Sequence, residues 1–189
     1  MAHYALSELL IVLAALWAGT RLVAHDRAIA ALGVLLFGAA AAIGAVRFSF
    51  GLIEPWADMH RFAGTMGGLL AMMALTHQVV RFETARLSPQ SHMALAALGL
   101  GLALAMPALR VPLFLIWSLG FIWLAARHTP LRLSPAWQKA GVAGFMLFNV
   151  LVFRQSPYLD AALSWHIFHV LVALWIVGVV WLFSPSVPD

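Results

Sequence analysis

Cysteine is absent from this chain, which removes disulfides, thiolate metal sites and cysteine nucleophiles at once. Charge is scarce too, at 10% of residues, and no polar block is long enough to fold separately, so the chain reads as one domain. The net charge of +4 is modest. Its arginines fall in short loops, where they act as topology signals and not as a nucleic-acid surface. The first apolar run, 6–23, lacks a preceding basic region and a small-residue cleavage site. It is expected to stay as a first helix rather than leave as a signal peptide.

What the sequence does hold is hydrocarbon. Apolar residues make up 63% of its 189 positions, and the mean hydropathy is +0.95. Repeated long apolar runs at this composition predict an all-α polytopic membrane protein. The runs are 4–23, 28–50, 58–80, 92–109, 111–126, 136–153 and 160–183. Pro107 and Pro112 separate the fourth from the fifth, because the combined stretch exceeds the roughly 17–25 residues of one span. Seven transmembrane helices follow. Basic residues favour the loops after odd-numbered helices: Arg21, Arg27, Arg81, Arg86, Arg127, Arg132 and Lys139, against Arg47, Arg61, Arg110 and Arg154 on the other side. That bias predicts the N-terminus out and the C-terminus in, in a bacterial cytoplasmic membrane.

Within the second run, the small residues Gly38, Ala41, Ala42 and Ala45 are expected to face a neighbouring helix. The last run opens on Ser164-Trp165-His166-Ile167-Phe168-His169. Histidines three apart on a helix share a face, with Cβ atoms about 5–6 Å apart, near enough to share a metal. Alternation of seven helices then gathers polar groups by depth. Glu8, Arg47, Ser49, Asp58, His60, Asn149, Arg154, Asp160, Ser164, His166 and His169 fall in the outer half. His25, His77, His92 and His128 fall toward the inner side. Three histidines, His60, His166 and His169, would make a zinc site with an open fourth position, and Asp58 or Glu8 would serve as base or as partner to a ligand. Plainer roles stand beside these. Asp58 and Asp160 suit helix N-caps, Glu8 suits a helix end, and Arg47 suits snorkelling to the interface or pairing with an anion.

The helix-seven string, an acid in helix one, a polar end to helix two and an aspartate opening helix three together resemble the CREST superfamily. These are seven-helix membrane hydrolases that include alkaline ceramidases and adiponectin-receptor-like proteins. The resemblance implies a zinc-dependent hydrolase of a lipid amide or ester. Asp58, Glu8 and His169 would match its aspartate, helix-one acid and second helix-seven histidine. Arg47 stands where that family has a helix-two zinc histidine, and Trp165 where it has the first helix-seven histidine. A zinc site would therefore be rebuilt from His60, His166 and His169, with Arg47 on an anionic headgroup or oxyanion and a membrane lipid as substrate or ligand. Two other readings remain open. One is a haem b or quinone protein, with His60 and His166 or His169 as axial ligands; the other is a lipid-binding membrane protein without chemistry.

Overall fold

The computed structural model describes residues 3–83, 88–128 and 134–184. All its regular elements are helical: α1 (His3–Ala24), α2 (Ala28–Ser49), α3 (Ala57–Glu83), α4 (Pro89–Ala105), α5 (Arg110–Arg127), α6 (Ala136–Asn149) and α7 (Ala161–Phe183). A 3₁₀ turn, Pro107–Leu109, precedes α5, and a π turn, Val150–Arg154, prolongs α6. Six stretches are long and apolar enough to cross a membrane; α4 is shorter. The chain is an integral membrane protein by this measure. Arg86 and Arg132, two of the charges behind the expected orientation, lie outside the described residues.

Local chemistry sets the boundaries. Ser88 caps α4 by accepting from the Ser91 N–H at 3.1 Å, with Pro89 in the first turn, where its missing N–H costs nothing. Asp160 caps α7 by accepting from the Leu163 N–H at 2.9 Å. Proline disfavours helical backbone at the residue before it, and Met106, ahead of Pro107, leaves the helix at φ −131° and ψ 87°. The fourth apolar run thus ends and the fifth restarts.

Packing is that of an up-and-down bundle. α1, α2, α3, α5, α6 and α7 close a ring in which each helix touches the next and α7 returns to α1. α4 leans on the outside of α3. It offers a single stripe of His92, Ala96, Gly99, Leu100 and Ala103 at helical spacing. Two contacts fix its direction. His77, late in α3, meets His92, early in α4, with Nδ1 atoms 2.9 Å apart. At the other end, the Arg110 guanidinium at the start of α5 lies 5.2 Å from the centre of the Phe62 ring, early in α3. The starts of odd helices and the ends of even helices therefore share one end of the bundle.

Polar cross-ties join the helices where hydrocarbon offers no water. The Ala30 N–H donates to Gln78 Oε1 at 3.1 Å, and Asn149 Nδ2 donates to the Phe168 carbonyl at 2.8 Å. At the far end the buried Lys139 ammonium donates to the His128 carbonyl at 3.2 Å. Burial, with Lys139 and Arg127 nearby, holds the His128 imidazole below its usual range.

The small residues of α2 face inward as expected: Gly38, Ala41 and Ala45 are buried and Ala42 half-buried. A Cβ on Gly38 would stand 2.6 Å from the Ala15 Cβ of α1, inside any real carbon contact. Gly38→Ala should lower stability by about 1–3 kcal/mol through overpacking. Gly120→Ala, whose added methyl meets nothing within 4 Å, should stabilise by about 0.4–1 kcal/mol. Thermal melts of the two variants in detergent check the contrast, and equal midpoints would mean the α1–α2 contact is not close.

Candidate functional site

Glu8 lies in the second turn of α1 and is 1% exposed. Its Oε1 is 3.3 Å from His60 Nε2 of α3 and 3.3 Å from His169 Nε2 of α7. Neither ring aims an N–H squarely at it, so Oε1 is a buried carboxylate oxygen without an aligned donor. The fourth wall is Gly44 of α2. A Cβ there would collide with Oε1 and stand 2.6 Å from the Glu8 Cδ and 2.7 Å from His60 Nε2. Glycine is what admits the carboxylate between the helices.

The outer nitrogens of both rings have partners that reveal where the protons sit. A guanidinium has only donors. Arg47, whose Nε donates to the Ile53 carbonyl at 2.8 Å, places a terminal nitrogen 3.3 Å from His60 Nδ1. That Nδ1 must present a lone pair, so neutral His60 carries its proton on Nε2, facing Glu8. A backbone carbonyl has only lone pairs, so His169 Nδ1 donates to the Trp165 carbonyl at 2.6 Å. Neutral His169 would then present a bare Nε2 to a bare carboxylate oxygen. Two lone pairs do not face each other across 3.3 Å without a proton between them. The Glu8–His169 pair is therefore placed to share one proton.

The triad forms part of the wall of a cavity of about 610 Å³, in the size range of small-molecule sites. Phe37, Phe114, Met146 and Val172 supply an apolar interior, and Arg47, Arg61, Arg110 and Arg154 also line it. The π turn ending at Arg154 adds Val150, Leu151 and Arg154 to the lining; such wide turns are frequent at functional sites. The Arg154 guanidinium sits 5.2 Å from the centre of the Trp165 ring, which stacks on His169 at 4.4 Å.

The residues expected at the site divide. Glu8, His60, His169 and Arg47 meet. His166 does not line the cavity. Its Nδ1 lies 3.1 Å from Ser7 Oγ, whose hydroxyl donates to the Tyr4 carbonyl, and its ring stacks on Tyr4 at 5.4 Å. Asp58 is not the cap of α3, since the helix begins at Ala57. Its side chain is 95% exposed and pairs with Arg61 at 3.6 Å. Gly44 and the two outer arginines, Arg110 and Arg154, were not among the expected site residues. A glycine one helical repeat before a membrane-embedded arginine was the signal available for Gly44, and the helix-end positions of the arginines were the signal for the others.

No family model, curated protein or solved structure matches the chain. The CREST resemblance thus stands on the residues quoted for it, of which Asp58 lies away from the triad.

The donor set does not suit the expected three-histidine zinc. Among the described residues, no group of three or more His, Cys, Asp or Glu side chains is placed to hold a metal ion. The Arg47 contact moreover puts the His60 proton on the nitrogen that would have to bind. A haem between His60 and His169 fits no better, because the Glu8 carboxylate stands 3.3 Å from both Nε2 atoms and takes up the space between them.

These protonation assignments are open to measurement. Ring ¹⁵N spectra of histidine-labelled protein in detergent should show His60 with its proton on Nε2 and the Nδ1 of His169 protonated. A His60 ring protonated only on Nδ1 would contradict the Arg47 contact and reopen metal ligation. Gly44→Ala should move the His60 and His169 signals together, since the new methyl displaces the carboxylate that both rings face.

Proposed function

We propose that this chain is an integral membrane hydrolase of a lipid ester or amide, with the proton-sharing Glu8–His169 pair as its acid–base group and water as its nucleophile. The observation that carries the reading is a carboxylate buried between two imidazoles in the wall of a lipid-sized cavity. General acid–base catalysis needs a positioned group that takes and returns a proton, and imidazole is the side chain that most often does so. With the shared proton resting on His169, the Glu8 carboxylate, which lines the cavity, takes a proton from water as the hydroxide adds to the carbonyl carbon. The same proton then goes to the departing alkoxide or amine as the tetrahedral intermediate collapses. Acid and alcohol, or acid and amine, leave. Arg47 keeps one terminal nitrogen beyond its bonds to Ile53 and His60, and that N–H group suits the developing oxyanion. Among the described residues, the single hydroxyl lining the cavity, Thr65, already donates to the Arg61 and Phe62 carbonyls, which favours water over a side-chain nucleophile. No step is routed through zinc.

In this reading α4 also crosses the bilayer, giving seven spans with the N-terminus out and the cavity toward the outer leaflet of a bacterial cytoplasmic membrane. The alternation of helix ends and the basic bias of the loops support it. Reporter fusions at Asp26 and at Glu54 should report the cytoplasm and the exterior, respectively; the reverse result would invert the site.

Activity is tested on purified wild type with long-chain ester and amide lipids in mixed micelles. His169→Gln and Glu8→Gln should each lower turnover by about 10²–10⁴-fold, the usual contribution of a general acid–base group, and His166→Gln should lower it little. One observation favours a second reading, lipid binding without turnover: the Glu8 and His169 side chains are only 2% and 6% exposed. Lipid that stays bound and uncleaved by the wild type would select that reading.

A further inference from the structure

The arginines of the cavity outnumber what the protein offers them. Four line it, from the end of α2, the start of α3, the start of α5 and the π turn after α6. Of these, Arg61 pairs with the exposed Asp58. Among the described residues, no carboxylate lies within ion-pair distance of Arg47, Arg110 or Arg154. Their partners are neutral. Arg110 Nε donates to the Ala103 carbonyl at 3.1 Å and its guanidinium lies by Phe62. Arg154 rests 5.2 Å from the centre of the Trp165 ring and 5.7 Å from that of Phe168. Among the described residues, Glu8 is the one carboxylate that lines the cavity, and it faces two imidazoles rather than a guanidinium.

Positive charge at the helix-terminal end of a cavity whose depth is aromatic and aliphatic is a pattern for an amphiphile. Guanidinium groups bind phosphate and carboxylate through two parallel N–H donors, and do so more strongly where water is thinned out. The aromatic faces under Arg110 and Arg154 hold the guanidinium planes without neutralising them.

We propose that the ligand of this cavity is an anionic lipid, its phosphate head seated between Arg47, Arg110 and Arg154 and its acyl chain against Phe37, Phe114, Met146 and Val172. The inference names the substrate class of the hydrolase reading and rests on that reading's cavity. Arg154 links head to chemistry, since the Trp165 ring beneath it stacks on His169. Arg47 links them from the other side through His60.

The test uses the full chain in neutral detergent with three probes. Lysophosphatidate has one chain and an anionic head. Lysophosphatidylcholine has the same chain and a zwitterionic head. Glycerol phosphate has the head with no chain. Displacement of a fluorescent lipid should show lysophosphatidate binding about tenfold or more tighter than lysophosphatidylcholine, with an affinity that falls as salt is raised. Arg110→Gln and Arg154→Gln should each lose about tenfold for lysophosphatidate alone. Arg21→Gln, exposed near the other end of α1, should lose nothing. If either cavity variant unfolds, the probe ranking and salt dependence of the wild type still decide.

Equal binding of the two lipids overturns the proposal, even if the enzyme proves to hydrolyse a neutral lipid. Glycerol phosphate binding as tightly as lysophosphatidate also overturns it, in favour of a soluble anion. A tight, salt-sensitive preference for lysophosphatidate with no cleavage of any lipid upholds the ligand class and removes the hydrolase.

Discussion

A carboxylate placed inside a helix bundle lined by hydrocarbon must be neutralised or paired, because an isolated charge there costs several kcal/mol or more. Glu8 is that carboxylate, and the surrounding structure answers it from three sides. α3 and α7 bring one imidazole each to the same oxygen. α2 brings no side chain, only the bare backbone of Gly44. Removing any of these leaves a buried charge without its complement, so the register of four helices depends on one acid. The close contact of Gly38 with Ala15 lies along the same α1–α2 seam and holds the backbones near enough for Gly44 to matter.

Arg47 takes part in two balances. Its guanidinium closes the turn after α2 through the Ile53 carbonyl and fixes the protonated nitrogen of His60. Arginine does not lose its proton in proteins, so Arg47 can only donate to His60. The Trp165 carbonyl fixes His169 in the same way, since a carbonyl never donates. With both outer nitrogens committed, the place left in the triad for a mobile proton is between Glu8 and His169. A symmetric-looking pair of histidines is thereby made chemically unequal: the outer nitrogen of His60 accepts, and that of His169 donates.

Much of this was legible in the sequence, though not through a motif. The helix boundaries followed from apolar run length and proline, and they match the structure to within a few residues except at α4, where the 3₁₀ turn at Pro107 takes the last three. Depth followed from alternation, which put Glu8, Arg47, His60 and His169 in one half and His77 with His92 in the other. Facing did not follow. Histidines three apart on a helix share a broad face, yet His166 turns to Ser7 and Tyr4 while His169 turns to Glu8. A difference of about 60° around the axis, the departure of three residues from a full 3.6-residue turn, is enough to separate two neighbours. Asp58 lies away from the triad for a related reason. One position before the helix it would cap; inside the first turn it points to water beside Arg61.

The role of α4 follows from what it leaves out. Six helices suffice to close the ring around the cavity, and α4 lies outside it with one narrow stripe against α3 and α5. Without α4, α5 would start at the opposite end of the bundle, with Arg110 far from Arg47 and Arg154. The extra helix reverses the chain once more. Its cost is an added hydrophobic segment with little packing of its own; its effect is that the start of α5 stands beside the start of α3, as the Arg110–Phe62 contact requires. The concentration of cationic side chains at one end of the cavity is thus a consequence of connectivity: an odd number of antiparallel helices, each contributing the residue at its terminus.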